Sequence, residues 1–333
     1  MLNTDIASAL TVLLDRAQAY APEYGGSLST HLPMALLSLH ALGADAPRME
    51  AFFTTISARL NPAPASVAAS DDWLAMRGDR ATFAPVRAHF LQAIAEHGRD
   101  AVLRQALPSL MDGVGAVAFH GLLRTASATV ANHNAELASG LAVWASGYLP
   151  LASFVASQSA DANSVNVADW LAHMSAQGDS WRVDSGGMIT PQMRTFVRTP
   201  VFRDGADRLA VHDGTLRELA GQALAIYLRS NNFTALHLIT SAHAMRLLLP
   251  WLSEPLAAVR HYARAYAAGV AASGVKFDAP IIAVDVLPWP EALQAGTVSD
   301  DEHVIKLVYA CHEEWKTTGD AGYQRAASLV VSA

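Results

Sequence analysis

Ser299-Asp300-Asp301-Glu302-His303-Val304-Ile305-Lys306-Leu307-Val308 reads as the opening of a buried helix. Ser299 is placed to cap its N-terminus, and Glu302, three residues on, closes a capping box. Asp300 and Asp301 put negative charge in the first turn, where the helix dipole favours it. From Val304 to Cys311 only Lys306 and Tyr309 interrupt an apolar run, so apolar side chains surround the helix and place it in a core. His303 and Lys306 are three residues apart and share a face. Burying an unpaired ammonium is costly and lowers its pKa. Lysine is also scarce here, at positions 276, 306 and 316 alone. Lys306 therefore either snorkels to the surface, with His303 as a second capping residue, or belongs to a buried polar site.

The rest of the chain extends this helical reading. With 52% hydrophobic and 16% charged residues over 333 positions, it can bury a sizeable core and is not a disordered chain. The net charge of -7 argues against a nucleic-acid binder, which would present a basic face. The lone cysteine, Cys311, allows no internal disulfide, and the first residues lack a basic-then-apolar leader, so a reduced, cytoplasmic setting is expected. The uncharged stretch from Leu137 to Ala160 is interrupted by Gly140, Gly147 and Pro150. It reads as two shorter pieces rather than a membrane span.

Taken in order, helices are expected over Thr4 to Ala21, from His31 to Gly43, over Arg48 to Leu60, Phe83 to His97 and Asp100 to Leu107, and from Ser109 toward Val130. The second begins with capping hydroxyls and a first-turn proline, Ser29-Thr30-His31-Leu32-Pro33, which leaves His31 at its mouth. Further helices are expected over Leu216 to Ser230, Phe233 to Leu249 and Pro255 to Ser273. Asp161 to Asp213 is the least regular part and is expected to be a long loop region of the lid or binding kind. Pro280 to Leu287 is either a short strand or extended loop. No strand–helix alternation and no fixed repeat is present, so the expected fold is all-α: one large multi-helix domain over residues 1–333, with an irregular central region.

Gly113-Val114-Gly115-Ala116-Val117-Ala118 has the glycine spacing of a dinucleotide turn, but no strand precedes it, so its small residues are assigned to close helix packing. Motifs for a P-loop, a nucleophile elbow or a classical zinc site are missing. Histidine remains. Thirteen are present, and His31, His40, His120, His237, His243 and His303 fall within apolar helices. A single such histidine is usually a hydrogen-bonded core residue, but several on separate helices can assemble a metal site. His237 and His243 are six apart, on different faces, so at most one points at a shared centre.

Four segments occur in a telling order: Ser29-Thr30-His31-Leu32-Pro33-Met34-Ala35-Leu36, Ala118-Phe119-His120-Gly121-Leu122-Leu123-Arg124, Leu236-His237-Leu238-Ile239-Thr240-Ser241 and Asp300-Asp301-Glu302-His303-Val304-Ile305-Lys306. Together they resemble the questin oxidase-like family over nearly the whole chain. That family includes enzymes oxidising anthraquinone polyketides, with NADPH implicated for some. In at least one branch the resemblance implies a mononuclear iron held by four histidines and a carboxylated lysine. Carried over motif by motif, the ligands are His31, His120, His237 and His303, with Lys306 as the modified lysine and His243 as the substitute for His237. Carbamate formation turns a buried amine into an anionic oxygen donor, which offsets the charge of iron(II) among neutral imidazoles. Asp300, Asp301 or Glu302 could orient the imidazoles.

Three functions follow as expectations. The first is a non-haem iron oxygenase or oxidase, taking dioxygen and an aromatic or polyketide-like small molecule, with Lys306 as an anionic ligand or, unmodified, a base. The second is a metal-independent NADPH-using oxidase of Baeyer–Villiger type. The third is a helical binding protein without catalysis. Oligomeric state is not legible.

Overall fold

The computed structural model describes residues 2–151, 165–175, 188–275 and 277–332; within them the chain forms sixteen α-helices and one short ribbon, Glu23–Tyr24 paired antiparallel with Leu28–Ser29. The all-α expectation is met. Four helices matter most. Leu32–Leu42 starts with Pro33 in its first turn and stops at Gly43, whose φ of 96° suits glycine. His120–Ala131 ends at Asn132 in the left-handed region. Phe233–Leu248 is capped by Asn232, whose side chain accepts from the amides of Thr234 and Ala235. Glu302–Thr318 carries the lysine.

These four helices close a ring. Leu32–Leu42 packs on His120–Ala131, that helix on Phe233–Leu248, that one on Glu302–Thr318, and the last back on Leu32–Leu42. Close approach is bought with glycine where the ring meets its outer helices. A Cβ on Gly121 would fall 2.6 Å from the Trp144 Cα, and one on Gly140 would fall 2.8 Å from the Thr125 nitrogen. At that same contact a buried pair forms: Arg124 donates through Nε to Glu136 Oε1 at 2.5 Å and through Nη2 to Glu136 Oε2 at 2.9 Å.

Several expectations change in detail. The helix opening at the lysine stretch starts at Glu302, because Asp301 rather than Ser299 caps it, accepting from the His303 amide at 2.7 Å. Glu302 is drawn instead to Arg59, 2.5 Å away, so the capping box does not form. The helix expected from Ser109 does not run through to Val130. The preceding helix ends at Leu110, and three left-handed residues, Val117, Ala118 and Phe119, separate a short turn from His120. The described part of the central region is more helical than its pattern implies, with helices at Val167–Ser175, Ile189–Phe196 and Pro200–Gly205. The rest of that region, residues 161–164 and 176–187, lies outside the described residues, as do residues 152–160 of the uncharged stretch. Residues 280–287 are extended chain outside any strand ladder, held by the Ile282 amide donating to the Leu228 carbonyl. Gly113 and Gly115 serve packing, as expected: a Cβ on Gly113 would overlap the Tyr148 ring. No helix among the described residues is long and apolar enough to cross a membrane.

Candidate metal centre

The ring of four helices gathers four histidines at one place, each at or near the N-terminal end of its helix. His31 is the cap residue of Leu32–Leu42, His120 opens the second helix, His237 lies one turn into the third, and His303 is the second residue of the fourth. The His31 and His120 rings stack with centroids 4.6 Å apart, His31 meets His303 at 4.6 Å, His120 meets His237 at 5.3 Å, and His237 meets His303 at 5.6 Å. His31, His120 and His237 are buried, while the His303 side chain keeps 22% exposure.

Three of the rings are held by the same device. His120 Nδ1 faces the Val117 carbonyl at 2.5 Å, His237 Nδ1 faces the Phe233 carbonyl at 2.8 Å, and His303 Nδ1 faces Asp301 Oδ1 at 3.2 Å. Each acceptor fixes the proton on Nδ1 and leaves Nε2 with a lone pair, as in histidines that ligate metals. Of the three acids considered, Asp301 is the one that orients an imidazole; Asp300 pairs with Arg48 and Glu302 with Arg59. The two carbonyl supports leave no mark in residue type, so the sequence could not show them.

Burial and proximity keep the cluster uncharged. Burial first, then the neighbouring Lys306 charge, push His31 well below its usual pKa and His120 down to about 3. Burial likewise lowers His237 far and His303 less, while Asp301 is drawn down to about 2 chiefly by its bond to His303. Lys306 is buried and falls to about 7, again mainly through burial, with Glu302 and Asp301 opposing. Among the described residues its Nζ has no hydrogen-bond partner, and neither have His31 Nδ1, His303 Nε2, Glu302 Oε1 and Thr30 Oγ1. So many buried polar atoms without partners in one place is rare in a finished core and marks room for a group they would bind.

The donor set fits a divalent transition metal in its chemistry: neutral imidazoles with free lone pairs suit iron, zinc or copper. As they stand, no three His, Cys, Asp or Glu side chains among the described residues are arrayed round one ion position. The reason is local. His31 Nε2 and His120 Nε2 touch at 2.5 Å, whereas nitrogens about 2.1 Å from one ion sit about 3 Å apart in neighbouring positions. The two rings must part by about half an ångström to share an ion. Four helix N-termini also meet here, and their dipoles disfavour positive charge, so an anion is needed beside any cation.

The left-handed run that delivers His120 carries strain, since alanine and valine there cost about 1–2 kcal/mol each. Ala118→Gly is expected to change stability by less than about 1 kcal/mol in urea unfolding, because backbone relief offsets the lost methyl and the more flexible unfolded chain. A larger loss would show that the run is unstrained.

His243 is not brought to the cluster. Its Nδ1 lies 2.7 Å from Glu314 Oε1, which also accepts from Arg246 Nε at 2.8 Å. Its Nε2 is buried without a partner. The half-buried His40 lies apart as well.

An all-α protein with a buried histidine–lysine centre at the meeting of four helices is the class these observations define. The questin oxidase-like family model matches residues 28–311, and the chain belongs to that family. Comparison with curated proteins finds no match. The family is one of oxidases, so an oxidoreductase acting on a small molecule is the reading at that level.

Proposed function

We propose that the protein is a non-haem iron oxygenase or oxidase that uses dioxygen on an aromatic or polyketide-like ring, of the anthraquinone kind. The observation that carries this reading is the gathering of four neutral imidazoles around an amine without a partner. His31, His120, His237 and His303 would hold the metal through ring nitrogens, and Lys306, as its carbamate, would supply the anion that four helix N-termini call for. When bound, iron(II) supplies the capacity to activate dioxygen. Val117, Phe233 and Asp301 keep the imidazoles oriented. If Lys306 stays unmodified, its lowered pKa makes it a base beside the metal.

The ring substrate has one supported approach. Phe233, 54% exposed, sets its ring edge-on to both His237 and His303, each at 4.7 Å. An exposed aromatic face beside the one half-open histidine offers a stacking platform for a flat substrate. The test is oxygen uptake with polyhydroxylated anthraquinones, run on iron-loaded and on chelator-stripped protein, with and without NADPH. Uptake that requires both iron and the ring is expected. NADPH-driven uptake by stripped protein would contradict the reading and favour metal-free chemistry.

A further inference from the structure

A second feature lies on the other side of Lys306. Between the same four helices is a small cavity, of about 30 Å³, whose exposed wall is mostly apolar, from residues such as Met34, Leu123, Ala126 and Ala244, with Ser38, Thr240 and Tyr309 also on the lining. Lys306 and His243 also line it, and Lys306 Nζ and His243 Nε2 are both buried and without a partner. At its outer rim stands Val130, 44% exposed, so the cavity reaches the surface there. His243 Nδ1 lies against Glu314 Oε1, which also accepts from Arg246 Nε, so Nε2 is the ring nitrogen left facing the cavity.

Size decides what the cavity can hold. The volume is that of one or two water molecules, far too small for an aromatic ring. We propose that this cavity is a gas port, admitting a linear uncharged gas, dioxygen or carbon dioxide, from Val130 to Lys306, while the ring substrate uses the Phe233 side. Apolar walls favour such a gas over water along most of the path. Carbon dioxide entering here would reach the amine that the function proposed above takes as a carbamate. The role of the gas at Lys306 rests on the function proposed above, but the existence of the port does not.

Xenon is the probe for the port. Crystals of the native chain under xenon pressure are expected to show a xenon atom among Ala126, Ala244 and Lys306. Val130→Trp, a change at an exposed rim, is then expected to separate the gases. If dioxygen uses the port, its KM rises severalfold with kcat unchanged; if carbon dioxide does, uptake of the ¹³C-labelled gas by the metal-free chain slows severalfold to the same final level. Ordered water in place of xenon overturns the proposal, and so does a Val130→Trp variant in which neither rate moves. Iron content, measured alongside, reports on the metal centre independently of both.

Discussion

Exchange of His120 for alanine is expected to leave a folded chain that no longer retains iron. Loss of a residue that merely supports a ligand costs about 10–100-fold in metal affinity, so removal of a ligand itself should cost at least about 100-fold. His120 is the sharpest choice because its neighbours are so specific. Its Nδ1 is fixed by Val117, and its Nε2 meets His31 Nε2. His243→Ala is the matched control: that ring is equally buried but belongs to Glu314 and Arg246, so iron retention should not change. Metal analysis after desalting reads both. A His120→Ala protein that keeps its iron would remove the ring from the ligand set.

The second large effect concerns stability rather than metal. Lys306→Met should make the metal-free protein markedly more stable at neutral pH while abolishing its capacity to hold iron. Burial takes the Lys306 pKa from 10.5 down to about 7, a shift that corresponds to about 5 kcal/mol. The sign follows from proton counting. Between these two values the folded chain binds fewer protons than the unfolded one, so this group makes stability rise with pH. Its destabilising effect is fully present below the folded value and is relieved as the pH approaches the unfolded one. Methionine, of similar length and uncharged, removes the penalty at every pH. Urea unfolding of the metal-free native and Lys306→Met chains from about pH 7 to about pH 9.5 should therefore show a gap that narrows steadily with pH. A gap that stays flat, or a less stable variant at pH 7, would mean that Lys306 is paired in the folded state.

Much of this was legible in the sequence, for identifiable reasons. Helical periodicity with proline starts and glycine stops located Leu32–Leu42, Phe83–His97 and Pro255–Ser273 closely. The apolar surroundings of Lys306 left a buried amine and a snorkelling one both open, and the structure buries it; the six-residue spacing of His237 and His243 indicated that at most one would face a shared centre. What stayed hidden was set by backbone and tertiary contact. Nothing in Val117-Ala118-Phe119 announces three left-handed residues, since such strain is imposed by surrounding packing and not by residue preference. The capping box at Ser299 and Glu302 lost to a competitor that local pattern cannot reveal: Arg59, distant in the chain, takes the Glu302 carboxylate. The Glu314 partner of His243 was equally out of sight, 71 residues away.

If imidazoles from four helices hold one ion with Lys306 beside it, metal content depends on each of those rings. The most direct test is metal analysis of native protein and His303→Ala after anaerobic loading with iron(II) and removal of excess. About one iron per native chain is expected, and a small fraction of that in the variant, from loss of an imidazole ligand. Native protein that holds almost no iron after loading, or a His303→Ala protein that holds as much as native, would contradict that arrangement.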